Sequence, residues 1–250
     1  MPVQEDSTVR SVSRVLEILA LIAKYPQGIT LRETVEATGL PKTTVLRLLQ
    51  TLEANGLVWK ASSQSYILGP TLLHLSSQSL DAWRMPPPLL EKLEDLADQC
   101  NETVNLWVRR GLTRVLVCRA QGRQSLRNVA RLGDQLQMDA GASAKVLLAA
   151  MPDNLLPEVA ATSSRGVGLE TLRSWVTETR GRGWAVSHGE REEGLSAVAV
   201  PVPSAKSVTV ATITLSGPTS RFTPDRIELF VERLKSCAEQ IGRQGFGPQL

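Results

Sequence analysis

In the stretch LPKTTVLRLLQTLEANGLVWK, residues Leu40 to Lys60, two cations, two hydroxyls and an amide (Lys42, Thr43, Thr44, Arg47, Gln50) crowd together, and no acid appears until Glu53. Val45, Leu48, Leu49 and Leu52 fall at i, i+3, i+4 and i+7, which places them on one face of a helix starting just after Pro41. The opposite stripe then carries Thr43, Leu46, Arg47 and Gln50. Arg pairs with guanine O6 and N7, Gln with adenine, Thr with either, and a leucine methyl packs on the thymine methyl, so this stripe suits a major groove. Lys42, the hydroxyls of Thr43 and Thr44, and the open N–H groups of the helix start suit phosphate. Arg32 in the preceding segment and Lys60 beyond complete the candidate DNA-contacting set. A polar helix face that merely meets water would hold the same residue types, so the surrounding elements decide the matter.

Those elements are consistent with a DNA reader. VRSVSRVLEILALIAKYPQGIT places Val12, Val15, Leu16, Leu19 and Ile22 at helical spacing and stops at Tyr25-Pro26-Gln27-Gly28. Thr30 is placed to cap a short second helix, LRETVEATGL, with Leu31, Val35 and Leu40 facing inward and Gly39 at a left-handed exit. Two short helices joined through a glycine-bearing turn form a helix-turn-helix, which presents its second helix outward. After Asn55-Gly56 the period changes: GLVWK, the turn ASSQS and YILG read as a β-hairpin, a wing whose tip lies around Ser62, Ser63 and Gln64.

Residues Thr71 to Trp83 form a further helix with Leu72, Leu75, Leu80 and Trp83 as its apolar members, ended by Pro86-Pro87-Pro88. The expected organisation is a winged helix-turn-helix over 1–70, a linker helix over 71–87 and a second domain over 88–250. In that second domain PLLEKLEDLADQC restarts a helix with Leu89, Leu93, Leu96 and Cys100 inside. TVNLWVRR and TRVLVCRAQG alternate about Gly111-Leu112 as a hairpin. MDAGASAKVLLAAM is a small-residue helix, and TLRSWVTETRGRGWAVSHG is a helix running into a strand. LSAVAVPV and SVTVATITLSGP are strands. TPDRIELFVERLKSCAEQIGRQG is a long amphipathic helix capped by Thr223, with Arg226 to Lys235 on its wet face. Roughly six strands with helices around them give an α+β domain on a mostly antiparallel sheet.

The chain has 250 residues, 42% hydrophobic, and its net charge is only +3. Residues 1–75 carry seven Lys and Arg against six acids, so the case for DNA rests on where charge sits and not on its sum. The apolar block Ile18 to Ala23 is too short to span a bilayer, and the expectation is a soluble, cytoplasmic protein. Cys100, Cys118 and Cys237 lack metal-ligand or CxxC spacing and read as buried thiols. With His74 and His188 the only histidines, a zinc site lacks ligands, and no cofactor is expected. Neither GxGxxG after a strand nor GxxxxGK[ST] is present. Ser143 and Lys145, two apart on a helix, point in different directions, and Lys145 is expected to find an acid or a carbonyl. The three carboxylates of Glu190, Glu192 and Glu193 read as a solvated loop. No activated nucleophile can be assembled, which argues against an enzyme. The rival reading is a metabolite-binding or enzymatic domain whose winged helix makes only protein contacts.

PKTTVLRLLQTLEANGLV and LRETVEATGL, together with DAGASAKVLLAA, RGWAVSHGEREEGLSAVAVPV and ITLSGPTSRFT, resemble the IclR family of bacterial transcription regulators from about Val9 to Gly242. The resemblance implies a winged helix-turn-helix, a linker helix that pairs subunits, and a GAF-like effector-binding domain. It also implies a homodimer or dimer of dimers acting, as a repressor, on a palindromic double-stranded operator under control of a small metabolite. By the same resemblance the effector pocket is lined by Ala142, Ser143, Ser187, Ala197, Thr214 and Ser216. Members that bind small organic acids carry HASGAGKA where this chain has DAGASAKV, so Asp139 replaces a histidine and Ala144 a glycine, while Ser187 and Ala197 stand where aspartate and cysteine can occur. A pocket of Ser, Thr and Ala offers hydroxyls but no fixed cation. AGASAKVL and RGWAVSHGERE are similar to actinobacterial members that control amino-acid biosynthesis. Trp107, Trp175 and Trp184 are expected in the core rather than stacked on a ligand.

Overall fold

In a computed structural model describing residues 9–61, 63–122, 130–203 and 211–245, the chain divides between Ala82 and Trp83 into two units. The amino-terminal unit is built from α1 (Arg10–Ile22), β1 (Ile29–Thr30), α2 (Leu31–Thr38), α3 (Lys42–Ala54), β2 (Val58–Lys60), β3 (Ser65–Leu68) and α4 (Thr71–Ala82). Thr30 and Glu33 form a reciprocal capping box: the Glu33 N–H donates to Thr30 Oγ1 at 3.3 Å and the Thr30 N–H to Glu33 Oε2 at 2.8 Å. Gly39 takes a φ of 66° as the C-cap of α2, a conformation costly for any residue with a Cβ, and so turns the chain into α3. The hairpin of β2 and β3 is joined by β1 into an antiparallel sheet of order β1-β3-β2. Ile18, Ile22, Ile29, Val45, Leu49, Leu52, Val58 and Tyr66 fill the centre, with Leu48 half-buried beside them.

Three expectations change here. In α1 the buried residues are Ile18 and Ile22, with Val15 and Leu19 packed against the core, whereas Val12 and Leu16 are 54% and 60% exposed, because the helix buries a narrower stripe than its apolar residues could cover. No residue of α4 is buried, and the helix stops at Ala82 before Trp83 and the prolines. The wing tip includes Ser62, which lies outside the described residues; Ser63 and Gln64 are exposed.

The second unit comprises α5 (Pro87–Cys100), β4 (Thr103–Arg110), β5 (Thr113–Ala120), β6 (Gln135–Gln137), α6 (Ala142–Ala149), α7 (Leu156–Ala161), α8 (Leu169–Arg182), β7 (Ala185–His188), β8 (Leu195–Val202), β9 (Ala211–Pro218) and α9 (Pro224–Gln244). The strands form one antiparallel sheet of order β6-β5-β4-β9-β8-β7. Period-two alternation sorts β8: Val198, Val200 and Val202 join Leu89, Leu93, Phe230 and Leu234 of α5 and α9, while Ala197 and Ala199 pack with Ala142 and Val146 of α6. Alanines on the second side let α6 approach the sheet closely. Cys100, Cys118 and Cys237 are buried, as their spacing suggested.

Thr223 is the N-cap residue of α9 but its side chain makes no capping bond. Arg226 is not simply solvated, since it donates to the Cys100 carbonyl at 2.9 Å. Strand β6 and helix α7 were too short to show a period. The hairpin of β4 and β5 is irregular at one point. Leu106 pairs with Cys118 but Trp107 pairs with Leu116, so Val117 is passed over at a bulge. The bulge changes which face the rest of β5 presents. Among the described residues no helix is long and apolar enough to cross a membrane.

Candidate functional site

Helix α3 is held down by Val45, Leu49 and Leu52, each at most 2% exposed, and burying such a side chain contributes about 1.5–3 kcal/mol. That anchoring fixes the azimuth of everything else on the helix. Lys42, Thr43, Arg47 and Gln50 are exposed, and Thr44 and Leu46 are half-buried at the edges of the stripe. No acid stands in the first turn and the N-cap residue Pro41 offers no capping side chain, so the Lys42 and Thr43 amides and the positive end of the helix dipole are open. Among the described residues neither Lys42 nor Arg47 has an ion-pair partner. Arg32 differs: its Nε donates to Glu36 at 2.8 Å, one turn along α2. Lys60 is exposed on the wing strand with its ammonium 5.9 Å from the Tyr66 ring. Sequence reasoning passed over Arg14, which shares with Ser11, Thr44, Arg47, Leu48 and Thr51 a surface cleft of about 310 Å³ between α1 and α3. Its signal was a cation one turn from the apolar stripe of α1.

In the second unit the structure brings Ala142, Ser143, Ser187, Ala197, Thr214 and Ser216 around one cavity, with about 410 Å³ of empty space including its open mouth. The sheet places them by register: Ser187 faces Ala197, Ala197 faces Ser216, and Asn105 faces Thr214 in the next row. The start of α6 lies over these rows. Gly141, with φ 93°, precedes the helix, and no side chain caps it, so its first amides border the cavity. Thr214 donates its hydroxyl to the Asn105 carbonyl at 3.3 Å and Ser216 to that of Thr103 at 3.5 Å. No bond occupies the Ser143 and Ser187 hydroxyls among the described residues, although both side chains are buried.

Two cations also line this cavity, contrary to the expectation that it holds none. Arg114 on β5 is 2% exposed. Its Nη2 donates to the Ala140 carbonyl at 2.8 Å, and its guanidinium carbon lies 5.5 Å from the Trp107 ring centre. Burial first, and then the like charge of Arg191, push its pKa down to about 9, so it stays a cation at neutral pH. Arg191, on the loop after β7, is held below its ordinary value by burial, with Arg165 adding to the effect. The bulge explains why Arg114 was missed. Uninterrupted alternation groups it with Cys118 and Ala120, which face α5 and α9, whereas the skipped Val117 turns Leu116 and Arg114 to the side of Trp107. Trp107 is therefore both interior, as expected, and a wall of the cavity, while Trp175 and Trp184 are half-buried against the apolar clusters.

In the acidic loop Glu192 and Glu193 are exposed, as read, but Glu190 is not simply solvated. Glu190 Oε2 accepts from the Gly141 N–H at 2.9 Å, and its other oxygen pairs closely with Lys145. Lys145 donates as well to the Val186 carbonyl at 3.0 Å and sits 4.9 Å from the Trp175 ring, so it finds both an acid and a carbonyl. Together these bonds tie the loop after β7 to the start of α6. Asp139, 5% exposed, accepts from the Ser164 and Arg165 amides at 3.0 and 3.3 Å. Ser143 and Lys145 make no bond to each other, so no nucleophile and base are paired there.

Residues 11–61 match the model of the IclR helix-turn-helix domain, and residues 87–243 that of the bacterial transcriptional regulator IclR C-terminal domain. The HTH-type transcriptional regulator KipR of Bacillus subtilis (strain 168) is 29% identical over 94% of this chain and 96% of its own. The probable transcriptional regulator SauR of Cupriavidus necator is 30% identical, over 91% and 94% of the two chains. A crystal structure of an IclR-family regulator from Rhodococcus sp. superposes with a TM-score of 0.63 at 38% identity, covering 98% of this chain and 97% of that one. Matched through both of its units, with an outward-facing third helix in one and a polar cavity in the other, the chain belongs to the IclR family of bacterial transcriptional regulators.

Proposed function

We propose that this protein is a cytoplasmic, effector-controlled repressor that reads operator DNA through α3. Thr43, Leu46, Arg47 and Gln50 enter the major groove, while Lys42, Thr44, Arg32 and the wing near Lys60 hold the backbone. The observation that carries this reading is the acid-free, partner-free polar face of α3, turned to solvent by its buried leucines. Residues 1–70 form the DNA-binding part, 71–87 the linker and 88–250 the effector and oligomerisation part. The exposed Leu73, Leu75 and Leu80 of α4 support pairing of subunits through that linker, as a homodimer or dimer of dimers. Ala142, Ser143, Ser187, Ala197, Thr214 and Ser216 contact the effector. Its binding shifts the spacing of two DNA-reading heads against half-sites a helical turn or more apart, a coupling of about 1–3 kcal/mol.

The test is footprinting on the duplex upstream of the gene, with binding followed as salt rises. A palindromic footprint whose affinity drops steeply with salt is expected. No duplex affinity at any ionic strength would instead support a winged helix used only for protein contacts.

A further inference from the structure

The segment between β7 and β8, Gly189 to Gly194, crosses from one wall of the cavity to the other. Its root is fixed. His188 pairs with Ser196 across the two strands, the Gly189 N–H donates to the Leu195 carbonyl at 2.8 Å, and the Thr219 N–H donates to the Gly194 carbonyl at 2.8 Å. Gly189 and Gly194 have φ of 65° and 76°, a region that glycine enters freely, so the residues between them are flanked by two pivots. Within the span Arg191 lines the cavity together with Ser187 and Leu195, the residues at the foot of each strand.

Gly-Glu-Arg-Glu-Glu-Gly contains no apolar side chain, so only polar bonds hold this span down. Segments without buried apolar contacts are the ones that open locally while the rest of a domain stays folded. On the inner side Glu190 accepts from the N–H of Gly141, a residue of the opposite wall, at 2.9 Å, and its other oxygen pairs with Lys145. Lys145 is itself anchored on the Val186 carbonyl of β7 at 3.0 Å. On the outer side Arg165 Nη2 donates to the Arg191 carbonyl at 2.8 Å, while the Arg165 N–H rests on the buried Asp139 carboxylate at 3.3 Å. Against these bonds stands the repulsion between Arg191 and Arg114, like charges that line one cavity and are poorly screened there.

We propose that residues 189–194 form a lid, latched inside by Glu190 to Lys145 and Gly141 and outside by Arg165 to the Arg191 carbonyl, and that small molecules reach Ser143 only when it opens. The lid rests on the reading of this cavity as the effector site, where it sets the rates of entry and release. Since Glu190 also holds the Gly141 N–H, lifting the lid and freeing the start of α6 are one event.

A thiol placed inside the cavity reads the lid with no effector present. Ser143→Cys is close to isosteric and removes no hydrogen bond among the described residues, and Ser187→Cys on the facing wall is a second reporter should the first fold poorly; both serines are 6% exposed. The full-length protein is treated with iodoacetamide at increasing urea below its unfolding transition. Alkylation is followed by mass spectrometry at the new thiol and at Cys118, which lies on the α5 and α9 side of the sheet. The new thiol reacts at least about tenfold more slowly than in the unfolded chain, because only the open fraction is reached. Its rate is nearly flat in urea, since a lid exposes little surface on opening, whereas Cys118 accelerates steeply through unfolding of the whole unit. Glu190→Gln speeds the new thiol by about 10- to 100-fold through loss of a charge-assisted bond, and Arg165→Ala by about threefold, its bond being exposed.

A new thiol as reactive as in the unfolded chain would mean that the cavity stands open, and a urea slope equal to that of Cys118 would mean that only unfolding exposes it. Either result overturns the lid, as does a rate that Glu190→Gln leaves unchanged. None of these outcomes touches the regulator reading, which a missing footprint on operator DNA would sink while leaving the alkylation rates as they are.

Discussion

Arg47 and Arg114 carry the same guanidinium in opposite circumstances. Arg47 projects from a helix face into water, where an ion's field is screened within about 10 Å and holding it there costs little. Arg114 is inside, stripped of water, with one anchoring bond and two nitrogens that have no acceptor among the described residues. The first arrangement suits a long polyanion met at a surface, where several weak contacts add. The second suits one small anion that must be enclosed to be felt. A single chain thus places one chemical group at two dielectric extremes, and the buried leucines of α3 and the bulge of β5 respectively decide which.

Substitutions can break that comparison, and the largest effect should come from beneath the exposed face. Leu49→Ala removes a fully buried support of α3 and should destabilise the amino-terminal unit by about 2–5 kcal/mol in denaturant titrations. A loss below 1 kcal/mol would mean that α3 is not oriented by its core. Next comes the clasp: Glu190→Gln leaves the half-buried Lys145 without its acid and should cost about 1–3 kcal/mol in the carboxy-terminal unit. Hydrogen exchange at Gly141 should rise with it; unchanged exchange would show that the clasp does not hold α6.

On the exposed face, Arg47→Ala should weaken specific duplex binding by about 1–3 kcal/mol with little change in stability. Equal losses on specific and random duplexes would make Arg47 a phosphate contact. Lys42→Ala should give the smallest effect, lowering the salt slope of DNA binding by about 1. Effector affinity in the enclosed cavity should vary far less with salt, and matching slopes at the two sites would erase the distinction between them.

Much of the architecture could be read from periodicity. Val45, Leu49 and Leu52 at helical spacing fixed the face of α3, and Thr30 with Gly39 framed α2 as their chemistry required. In α1, spacing overstated the core because Val12 and Leu16 are apolar yet outward, and hydrophobicity does not say which residues have a neighbour. The hydroxyl-bearing wall of the cavity came through resemblance to relatives, since Ser187, Thr214 and Ser216 resemble ordinary strand residues until the register sets them side by side. Its cations were not legible. Arg191 sits in a loop whose burial no local pattern encodes, and Arg114 lies beyond a break in alternation that only paired strands reveal. Glu190 was misread for the same reason: its partners are 45 and 49 residues away along the chain.

The passed-over Val117 has a practical consequence for comparing relatives. Strand β5 has two reading frames, and equivalent positions must be counted separately from its Thr113 end and its Ala120 end. An alignment that runs a single frame through the strand will assign inward residues to the outside on one side of Val117. Deleting that one residue would, by the same parity, swing the Arg114 head out of the cavity without altering a single side chain within it.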